Sequence, residues 1–432
     1  MAEVNLSTGL SYQTVMTTSE NKLVYLLAEV IPGVNVGVGS MPLNVAIVLD
    51  KSGSMYAAQK LEYVIQAVCH AVDLLRPEDL CSVIAFADKT RVLIPSSQIY
   101  DKNTAKAMVC KIDHVDVGSG TCMLQAIDAA LYEVRKNFSR DRLNHIIILT
   151  DGMTLGEKEC AERCVAAARE GISVSTIGVG EEFNEKFLLG IANNCRGTSY
   201  FIERPCDIQT IFAKEMTGVQ NVILKDLRLD IKLSKDVHIR HAYKVKPLIN
   251  DLGAPDVIER VCSIGLSDLQ KEEVQSLLFE LILPSRRAGT YRIASASLSY
   301  SVPGQGNVSG MSVHDVTMTY SDDPSQSAAV NPRVLQMADA VSIFRQQTRA
   351  LQLAESGERG KATQLLRSAA TQLLQQGQEE LANQALEEAG RLEMGSGATS
   401  AGTKKLEYGT RKLTQLLDSV PPIPGVSLDK LD

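Results

Sequence analysis

Between residues 43 and 217, short apolar stretches typical of strands alternate with segments of helical period, and few architectures accommodate that order. Such alternation predicts a doubly wound, mostly parallel sheet with helices on both faces. The expected strands are 44–49, 82–87, 90–95, 145–150, 172–178 and 199–202. The expected helices are 56–75, 102–111, 122–137, 157–170, 184–194 and 206–216. The stretch 90–95 follows its predecessor too closely for a crossover helix, so we expect it to be an antiparallel edge strand.

The first of these strands is followed by Asp50, Ser52 and Ser54, with Gly53 between the serines. A continuous apolar run is typical of a buried parallel strand, and open α/β sheets bind ligands at the carboxyl ends of such strands. Carboxylate and hydroxyl oxygens suit a hard cation, and glycine allows a tight turn around one. Taken alone, these residue types are equally typical of turns and helix N-caps, so the loop by itself leaves both interpretations open.

Two further loops carry oxygen-bearing side chains. Residues 118–121 (Gly-Ser-Gly-Thr) precede a helical pattern, and the apolar stretch 146–149 is followed by Thr150 and Asp151. Loops at the carboxyl edge of one parallel sheet can meet at a single point. The side chains expected to converge there are Asp50, Ser52, Ser54, Thr121 and Asp151.

With these three loops, the segment 41–217 resembles a von Willebrand factor type A domain. All five positions of the metal-ion-dependent adhesion site of that family are filled. Beyond this segment, the chain resembles bacterial stand-alone type A proteins related to the inter-alpha-trypsin-inhibitor heavy chains and the calcium-activated chloride channel regulators. The resemblance covers the α/β segment and a flanking β-sandwich, and it does not extend to the C-terminal helices.

The resemblance implies which residues would bind the metal. Ser52, Ser54 and Thr121 would contact the ion directly, and Asp50 and Asp151 would do so directly or through water. The implied ion is Mg²⁺, or Mn²⁺, and ligands that are all oxygens, with room for water, fit such a hard octahedral cation. One coordination position would stay open for a carboxylate of a partner protein.

The segments that flank 41–217 differ from it in character. Residues 1–40 contain alternating apolar positions typical of strands over 3–17 and 22–31, and residues 218–322 contain several alternating stretches with weak helical period. We expect 218–322 to form an antiparallel β-sandwich. Because a lone hairpin is marginally stable, the N-terminal strands are expected to complete that sandwich.

Residues 330–394 carry helical patterns with apolar stripes. The expected helices are 332–356, 358–376 and 378–393. The stripes are explained by a helical hairpin or bundle that packs on itself or on the sandwich, and docking of a partner helix is the alternative.

The end of the chain, residues 395–432, is interpreted as a flexible linker and tail. Its first part, 395–403, is rich in Gly, Ser, Ala and Thr, a composition typical of linkers. A short helical piece is expected near 404–417. Thr410 and Thr414 lie beside basic residues and are expected to be ordinary solvated threonines, with phosphorylation as the alternative.

Composition excludes some functions and favours a compartment. A formal net charge of −7 argues against a nucleic-acid surface. The N-terminal residues lack the basic and apolar regions of a signal peptide, and no stretch has the length of a membrane-spanning helix. Nine cysteines are dispersed along the chain rather than grouped as a disulfide framework, so we expect reduced thiols and a cytoplasmic protein.

These observations favour a non-enzymatic adaptor or scaffold that binds a protein partner presenting Asp or Glu on the metal. The partner is not identified by the sequence, and a separate ATPase, kinase or phosphatase is among the candidates. The alternative function is an accessory subunit of a separate AAA-type ATPase, as in chelatase-like complexes. A metallohydrolase is a third possibility, since His114 and His145 lie near these loops in sequence, but His145 opens an apolar strand and no nucleophilic Ser or Cys motif is recognisable. No P-loop is recognisable either, so the chain itself shows no ATPase motor.

Overall fold

The computed structural model describes residues 4–18, 20–33, 41–180, 183–271, 273–302 and 309–417. The chain divides into two compact units. The α/β unit comprises residues 38–223 with 303–306, and the sandwich unit comprises residues 1–37, 224–302 and 307–432.

The strands and helices follow one another along the chain as follows. The strands are β1 (Val4–Leu10), β2 (Thr14–Met16), β3 (Lys22–Pro32), β4 (Leu43–Asp50), β5 (Leu80–Phe86), β6 (Thr90–Gln98), β7 (Leu143–Thr150), β8 (Ile172–Val179), β9 (Arg196–Ile202), β10 (Val222–Leu233), β11 (His238–Lys246), β12 (Asn250–Gly253), β13 (Val257–Ile258), β14 (Val261–Gly265), β15 (Leu269–Gln270), β16 (Gln275–Leu283), β17 (Gly289–Ser301) and β18 (Ser309–Ser321). The helices are α1 (Lys60–Leu74), α2 (Lys102–Cys110), α3 (Met123–Lys136), α4 (Glu157–Glu170), α5 (Glu185–Asn194), α6 (Ile208–Gln220), α7 (Pro332–Glu355), α8 (Arg359–Gln375), α9 (Glu379–Glu393) and α10 (Ser400–Arg411).

The α/β unit is a six-stranded sheet in the order β6-β5-β4-β7-β8-β9. All neighbours are parallel except β6, which pairs antiparallel with β5 at the edge. Successive residues of β4 face opposite sides of the sheet, so Ile47 belongs to the core on one face and Val48 to the core on the other. Helices cover both faces, and the predicted doubly wound sheet with its antiparallel edge strand is confirmed.

The first helix of this unit begins later than predicted. A 3-10 segment, Gly53–Gln59, follows β4, and within it Ala58 and Gln59 have positive φ angles of 52° and 59°. This backbone cannot continue an α-helix, so regular helix begins at Lys60 rather than at Tyr56.

The sandwich unit contains two sheets of predominantly antiparallel strands. One has the order β1-β3-β16-β11-β12, and the other has the order β13-β14-β10-β17-β18-β2 with β15 beside β10. The N-terminal segment is divided between them, because β1 pairs with β3 and β2 pairs in parallel with β18. The sequence pattern over 3–17 predicted a single strand, whereas the structure breaks it at Ser11–Gln13.

Helices α7 to α10 also belong to the sandwich unit. Their apolar stripes share one core with each other and with residues of the five-stranded sheet, such as Leu27, Tyr243 and Leu278. The stripes are therefore buried inside the unit, in agreement with the packing interpretation. Among the described residues, no helix has the length and apolar character to cross a membrane.

The interpretation of residues 395–403 as a linker was wrong for 400–403, which belong to a helix, whereas the short helical piece expected near 404–417 is confirmed as far as Arg411. Helix α10 begins at Ser400, capped by the Thr399 hydroxyl, which accepts a hydrogen bond from the Gly402 N–H at 3.0 Å. Leu406 and Tyr408 are buried, and this burial stabilises a helix whose composition alone would not favour one. Residues 418–432, the rest of the proposed tail, lie outside the described residues.

The two threonines near the end of the described chain are buried rather than solvated. The Thr410 hydroxyl donates to Gln347 Oε1 at 3.0 Å, and the Thr414 hydroxyl donates to the carbonyl oxygen of Val245. Both residues are 0% exposed. The expectation of solvated threonines was wrong because the helical segment that carries them packs into the unit.

Candidate metal site

The two predicted acidic ligands lie at the same edge of the α/β sheet. Strands β4 and β7 are parallel neighbours in which Leu49 pairs with Leu149. Asp50 ends β4 and Asp151 directly follows β7, so this register places both residues at the carboxyl edge. Both side chains are 0% exposed. The sheet therefore buries two carboxyl groups next to each other, an arrangement that is unfavourable without compensating charge or hydrogen bonds.

The two serines of the first loop point toward Asp151. Ser54 Oγ donates to Asp151 Oδ1 at 2.7 Å, Ser52 Oγ lies 3.4 Å from the same oxygen, and the two Oγ atoms are 3.1 Å apart. Three oxygens from loops 97 to 99 residues apart in sequence are thus brought within hydrogen-bond distance of one another. Two ligands on adjacent corners of an octahedral magnesium site lie about 3.0 Å apart when the metal–oxygen distance is about 2.1 Å. The measured spacing of these oxygens fits that requirement.

Asp50 is held by its own loop and by the end of β7. Its Oδ1 accepts the Ser52 N–H at 2.8 Å, and its Oδ2 accepts the Thr150 hydroxyl at 2.5 Å. Burial and, less strongly, the nearby Asp151 charge raise the pKa of the Asp50 carboxyl, and the hydrogen bonds from Thr150 and Ser52 lower it. The resulting pKa is about 6. Thr150 therefore positions Asp50, although in the sequence it is recognisable only as the residue at the end of an apolar strand.

Thr121 is brought to the same edge by the loop before α3. A Cβ atom placed on Gly152 would lie 3.5 Å from Thr121 Oγ1, so this hydroxyl lies against the backbone of the loop that carries Asp151. The carbonyl oxygen of Thr121 accepts the Thr154 hydroxyl at 3.0 Å, and that hydroxyl in turn accepts the Met123 N–H at 3.0 Å. Thr154 therefore joins the second and third loops.

Asp88 organises the loop that carries Thr121. Its Oδ2 accepts the backbone N–H groups of Ser119 at 2.8 Å and Gly120 at 3.1 Å, and these hydrogen bonds lower the pKa of the Asp88 carboxyl. A Cβ atom on Gly118, where φ is +85°, would overlap the Asp88 carboxylate. The loop needs glycine at this position both for its backbone conformation and for the close approach of Asp88.

A lysine that belongs to none of the three predicted loops also reaches the site. Lys60 Nζ donates to Asp151 Oδ2 at 2.5 Å. In the sequence, Lys60 lies six residues beyond Ser54, one to two turns into the helical pattern that follows the loop. This position was the one indication that it could approach the site. A basic residue in a helical pattern is usually solvated, so spacing alone did not indicate this ion pair.

The donor set differs from that of a zinc or polycarboxylate calcium site. Among the described residues, no group of three or more His, Cys, Asp or Glu side chains is arranged to hold a metal ion. The five predicted positions instead combine two carboxylates with three hydroxyls. Ligands that are all oxygens, with only two of the five side chains ionisable, suit a small hard cation that retains water ligands.

Replacing Asp50 with Asn is expected to stabilise the protein in EDTA near pH 7 by up to about 3 kcal/mol. A folded pKa of about 6 lies above the ordinary value of 3.8, so the folded state binds this proton more tightly than the unfolded chain does, and each tenfold difference in proton affinity is worth about 1.4 kcal/mol. The wild type is therefore stabilised as the pH falls toward about 4 and loses that stabilisation as the pH rises through about 6. Urea denaturation of the wild type and of Asp50→Asn, near pH 4 and near pH 7, measures the difference in their free energies of unfolding.

The neutral amide that Asp50→Asn introduces has no such pH dependence, so the stability difference between the two proteins should vanish near pH 4. A difference that is the same at both pH values would show that burial of the Asp50 charge is not its cause.

Comparisons with known proteins agree with this architecture. Residues 43–201 match the von Willebrand factor type A domain, and residues 332–416 match the Sll0103-like, C-terminal alpha-helical domain. The second match ends within the segment that follows α10, so it includes that helix in the same helical domain as α7 to α9.

Two relatives and one solved structure illustrate the range of similarity. The protein sll0103 of Synechocystis sp. is 29% identical over 395 residues, which cover 89% of this chain and 90% of that protein. Inter-alpha-trypsin inhibitor heavy chain H2 of Mus musculus is 26% identical over 205 residues, covering 44% of this chain but only 21% of the heavy chain. The structure of a von Willebrand factor type A protein from Catenulispora acidiphila has a TM-score of 0.77 at 17% identity and covers 95% of this chain and 97% of its own.

The sequence match, the doubly wound sheet and the neighbouring solved fold support the same assignment, and the resemblance inferred from the three loops is confirmed. The chain contains a von Willebrand factor type A domain, which spans residues 43–201.

Proposed function

We propose that the α/β unit binds a divalent cation, Mg²⁺ or Mn²⁺, through Asp50, Ser52, Ser54, Thr121 and Asp151, and that the protein is an adaptor whose partner contributes an Asp or Glu carboxylate to that cation. The observation that carries the proposal is the convergence of Ser52, Ser54 and Asp151 at oxygen–oxygen distances of 2.7 to 3.4 Å. The protein-interaction class is supported by the type A domain itself.

Some of the five residues would contact the cation, and others would position the loops around it. Ser52, Ser54 and Asp151 present oxygens whose spacing suits adjacent corners of an octahedron. Both oxygens of Asp50 already accept hydrogen bonds, so its carboxylate orients the loop and supplies negative charge, and water is a suitable link between it and the ion. When bound, the cation supplies a positive charge at which an external carboxylate can be recognised.

We propose a binding function rather than a hydrolytic one because of where His145 lies. Its Nε2 faces Glu215 Oε1 at 3.1 Å, its Nδ1 faces Ser173 Oγ at 2.6 Å, and the ring is buried. It precedes Thr150 by five strand residues, or about 16 Å along β7, and so cannot act as a base toward water at the carboxyl edge. That a separate ATPase, kinase or phosphatase is the partner stays a prediction.

The proposal is tested with an array of synthetic peptides in matched pairs that carry a central Glu or a central Gln. Fluorescently labelled protein is applied in Mg²⁺ and in EDTA, together with the Asp50→Asn variant. We expect retention on Glu peptides in Mg²⁺ only, and little retention of the variant under either condition. Equal retention on Glu and Gln peptides, or retention that survives EDTA, would move the interaction away from this site.

A further inference from the structure

Lys60 forms an ion pair with Asp151, a predicted metal ligand. Among the residues that the structure describes, no other Lys or Arg side chain forms an ion pair with one of the five predicted ligands. Its Nζ binds Asp151 Oδ2, while Asp151 Oδ1 faces the two serines. The side chain of Lys60 is only 14% exposed and that of Asp151 is 0% exposed. A Cβ atom on Gly180 would lie 3.4 Å from the ammonium nitrogen, so the end of β8 bounds it on another side. The ammonium group is therefore held in one place rather than free in solvent.

The local backbone does not favour a lysine here. Lys60 is the first residue of α1, and the positive end of the helix dipole disfavours a cation in the first turn. The two preceding residues, Ala58 and Gln59, adopt left-handed conformations without being glycine, which is unfavourable for residues with a Cβ atom. The helix dipole and the left-handed backbone therefore both disfavour the local conformation that places the Lys60 ammonium against Asp151.

The ion pair changes the charge of the site. Counted over the two carboxylates and the ammonium that pairs with one of them, Asp50 and Asp151 contribute −2, and Lys60 brings the sum to −1. The ammonium of Lys51, in the same loop, is not included in this sum and lies 5.5 Å from the centre of the Tyr56 ring. A divalent cation would raise the sum to +1, whereas without Lys60 the sum would be 0. With the lysine, neutrality is reached when one external carboxylate is added; without it, the same carboxylate would leave a net charge of −1.

We propose that Lys60 makes carboxylate binding and metal binding at this site depend on each other: its ammonium weakens binding of the cation alone and strengthens binding of a carboxylate to the loaded site. The inference rests on the proposed function, because it needs a cation held by Asp151. Its consequence is an adaptor that retains its metal weakly until an acidic partner is present.

The test measures the affinity for Mn²⁺, from the electron paramagnetic resonance signal of free Mn²⁺, with and without acetate at constant ionic strength. For the wild type we expect acetate to tighten Mn²⁺ binding. For Lys60→Met we expect about tenfold tighter binding or more without acetate, because a repulsive buried charge is gone, and little further effect of acetate. Lys60→Arg keeps the charge and should behave like the wild type.

Lys106→Met is the matched control. Lys106 also pairs with a carboxylate, Asp73, at 2.8 Å, but Asp73 lies thirteen residues beyond Lys60 on α1, about 20 Å along the helix. This variant has the same change in net charge and should bind Mn²⁺ as the wild type does. If it tightens binding as much as Lys60→Met, overall charge is the cause and the inference is wrong.

The two proposals fail in different ways. If Asp151→Asn loses Mn²⁺ but Lys60→Met binds it no more tightly than the wild type, the role of Lys60 is refuted and the metal site stands. If the wild type, Lys60→Met and Asp151→Asn all bind Mn²⁺ equally, the metal site itself is refuted. Lys60→Gln, which retains a polar side chain, replaces Lys60→Met if circular dichroism shows that the latter is unfolded.

Discussion

Asp151→Asn is expected to weaken Mg²⁺ binding at least about 100-fold, measured by isothermal titration calorimetry. The change removes a full negative charge from a side chain that is 0% exposed and whose Oδ1 lies 2.7 Å from Ser54 Oγ and 3.4 Å from Ser52 Oγ. In such an environment the charge is poorly screened, and 100-fold corresponds to about 2.7 kcal/mol. Asn retains the shape of the side chain, so the loss reports on charge rather than on packing.

Asp116→Asn is the matched control for that experiment. Asp116 pairs with Lys89 at 3.4 Å, and both side chains are largely exposed. The substitution makes the same chemical change on the loop before Thr121, where the charge is screened by solvent. Mg²⁺ binding should change by less than about threefold. A comparable loss in both variants would mean that the general potential of this surface, and not coordination by Asp151, governs the metal.

Arg333→Met is expected to destabilise the sandwich unit by about 3 to 5 kcal/mol, measured by urea denaturation. Arg333 at the start of α7 binds Glu29 of β3 through two nitrogens, with Nη2–Oε1 at 2.7 Å and Nε–Oε2 at 3.0 Å. The side chains are 9% and 0% exposed. Removing the guanidinium leaves the buried Glu29 carboxylate beside the uncharged Ser276 Oγ, at 3.4 Å, and the Lys246 ammonium, whose pKa burial lowers. A buried carboxylate that has lost its two-nitrogen partner is costly.

Two further variants separate this cause from lost packing. Adding Glu29→Leu to Arg333→Met removes the buried carboxylate that lost its arginine partner, and it should recover most of the free energy of unfolding lost in Arg333→Met. Arg292→Met removes an arginine whose pair with Asp315 is more than half exposed on both sides, and should cost less than about 1 kcal/mol. If the double variant is no more stable than Arg333→Met, the loss comes from packing and not from the charge of Glu29.

Much of the α/β unit follows from short-range patterns. The parallel sheet was predictable because each apolar run is followed by a helical pattern, and the antiparallel edge strand was predictable because the connection before it is too short for a crossover. Asp50, Ser52 and Ser54 lie within five residues of one another, so a single loop carried most of the signal for the site. Asp151 was found because it also directly follows an apolar strand.

Other features have no local signature. The pattern of residues 3–17 is compatible with one strand. In the structure it is divided, because β1 pairs with β3 in one sheet and β2 pairs with β18 in the other. The Gly- and Ser-rich start of α10 has low helix propensity, yet burial of Leu406 outweighs that preference. In the sequence, Lys60 looks like any lysine of an amphipathic helix. In the structure, it follows two left-handed residues and its side chain contacts Asp151.

By itself, the sequence determined the order of strands and helices in the α/β unit and the carboxylate and hydroxyl residues at its carboxyl edge, because hydrophobic period and strand-end chemistry are local properties. Only the tertiary structure decided which partners neutralise the buried charges, such as Lys60 for Asp151 and Arg333 for Glu29, and where weakly helical segments become ordered. The physical reason is that the cost of burying a charge and the gain from burying an apolar side chain depend on residues distant in the chain.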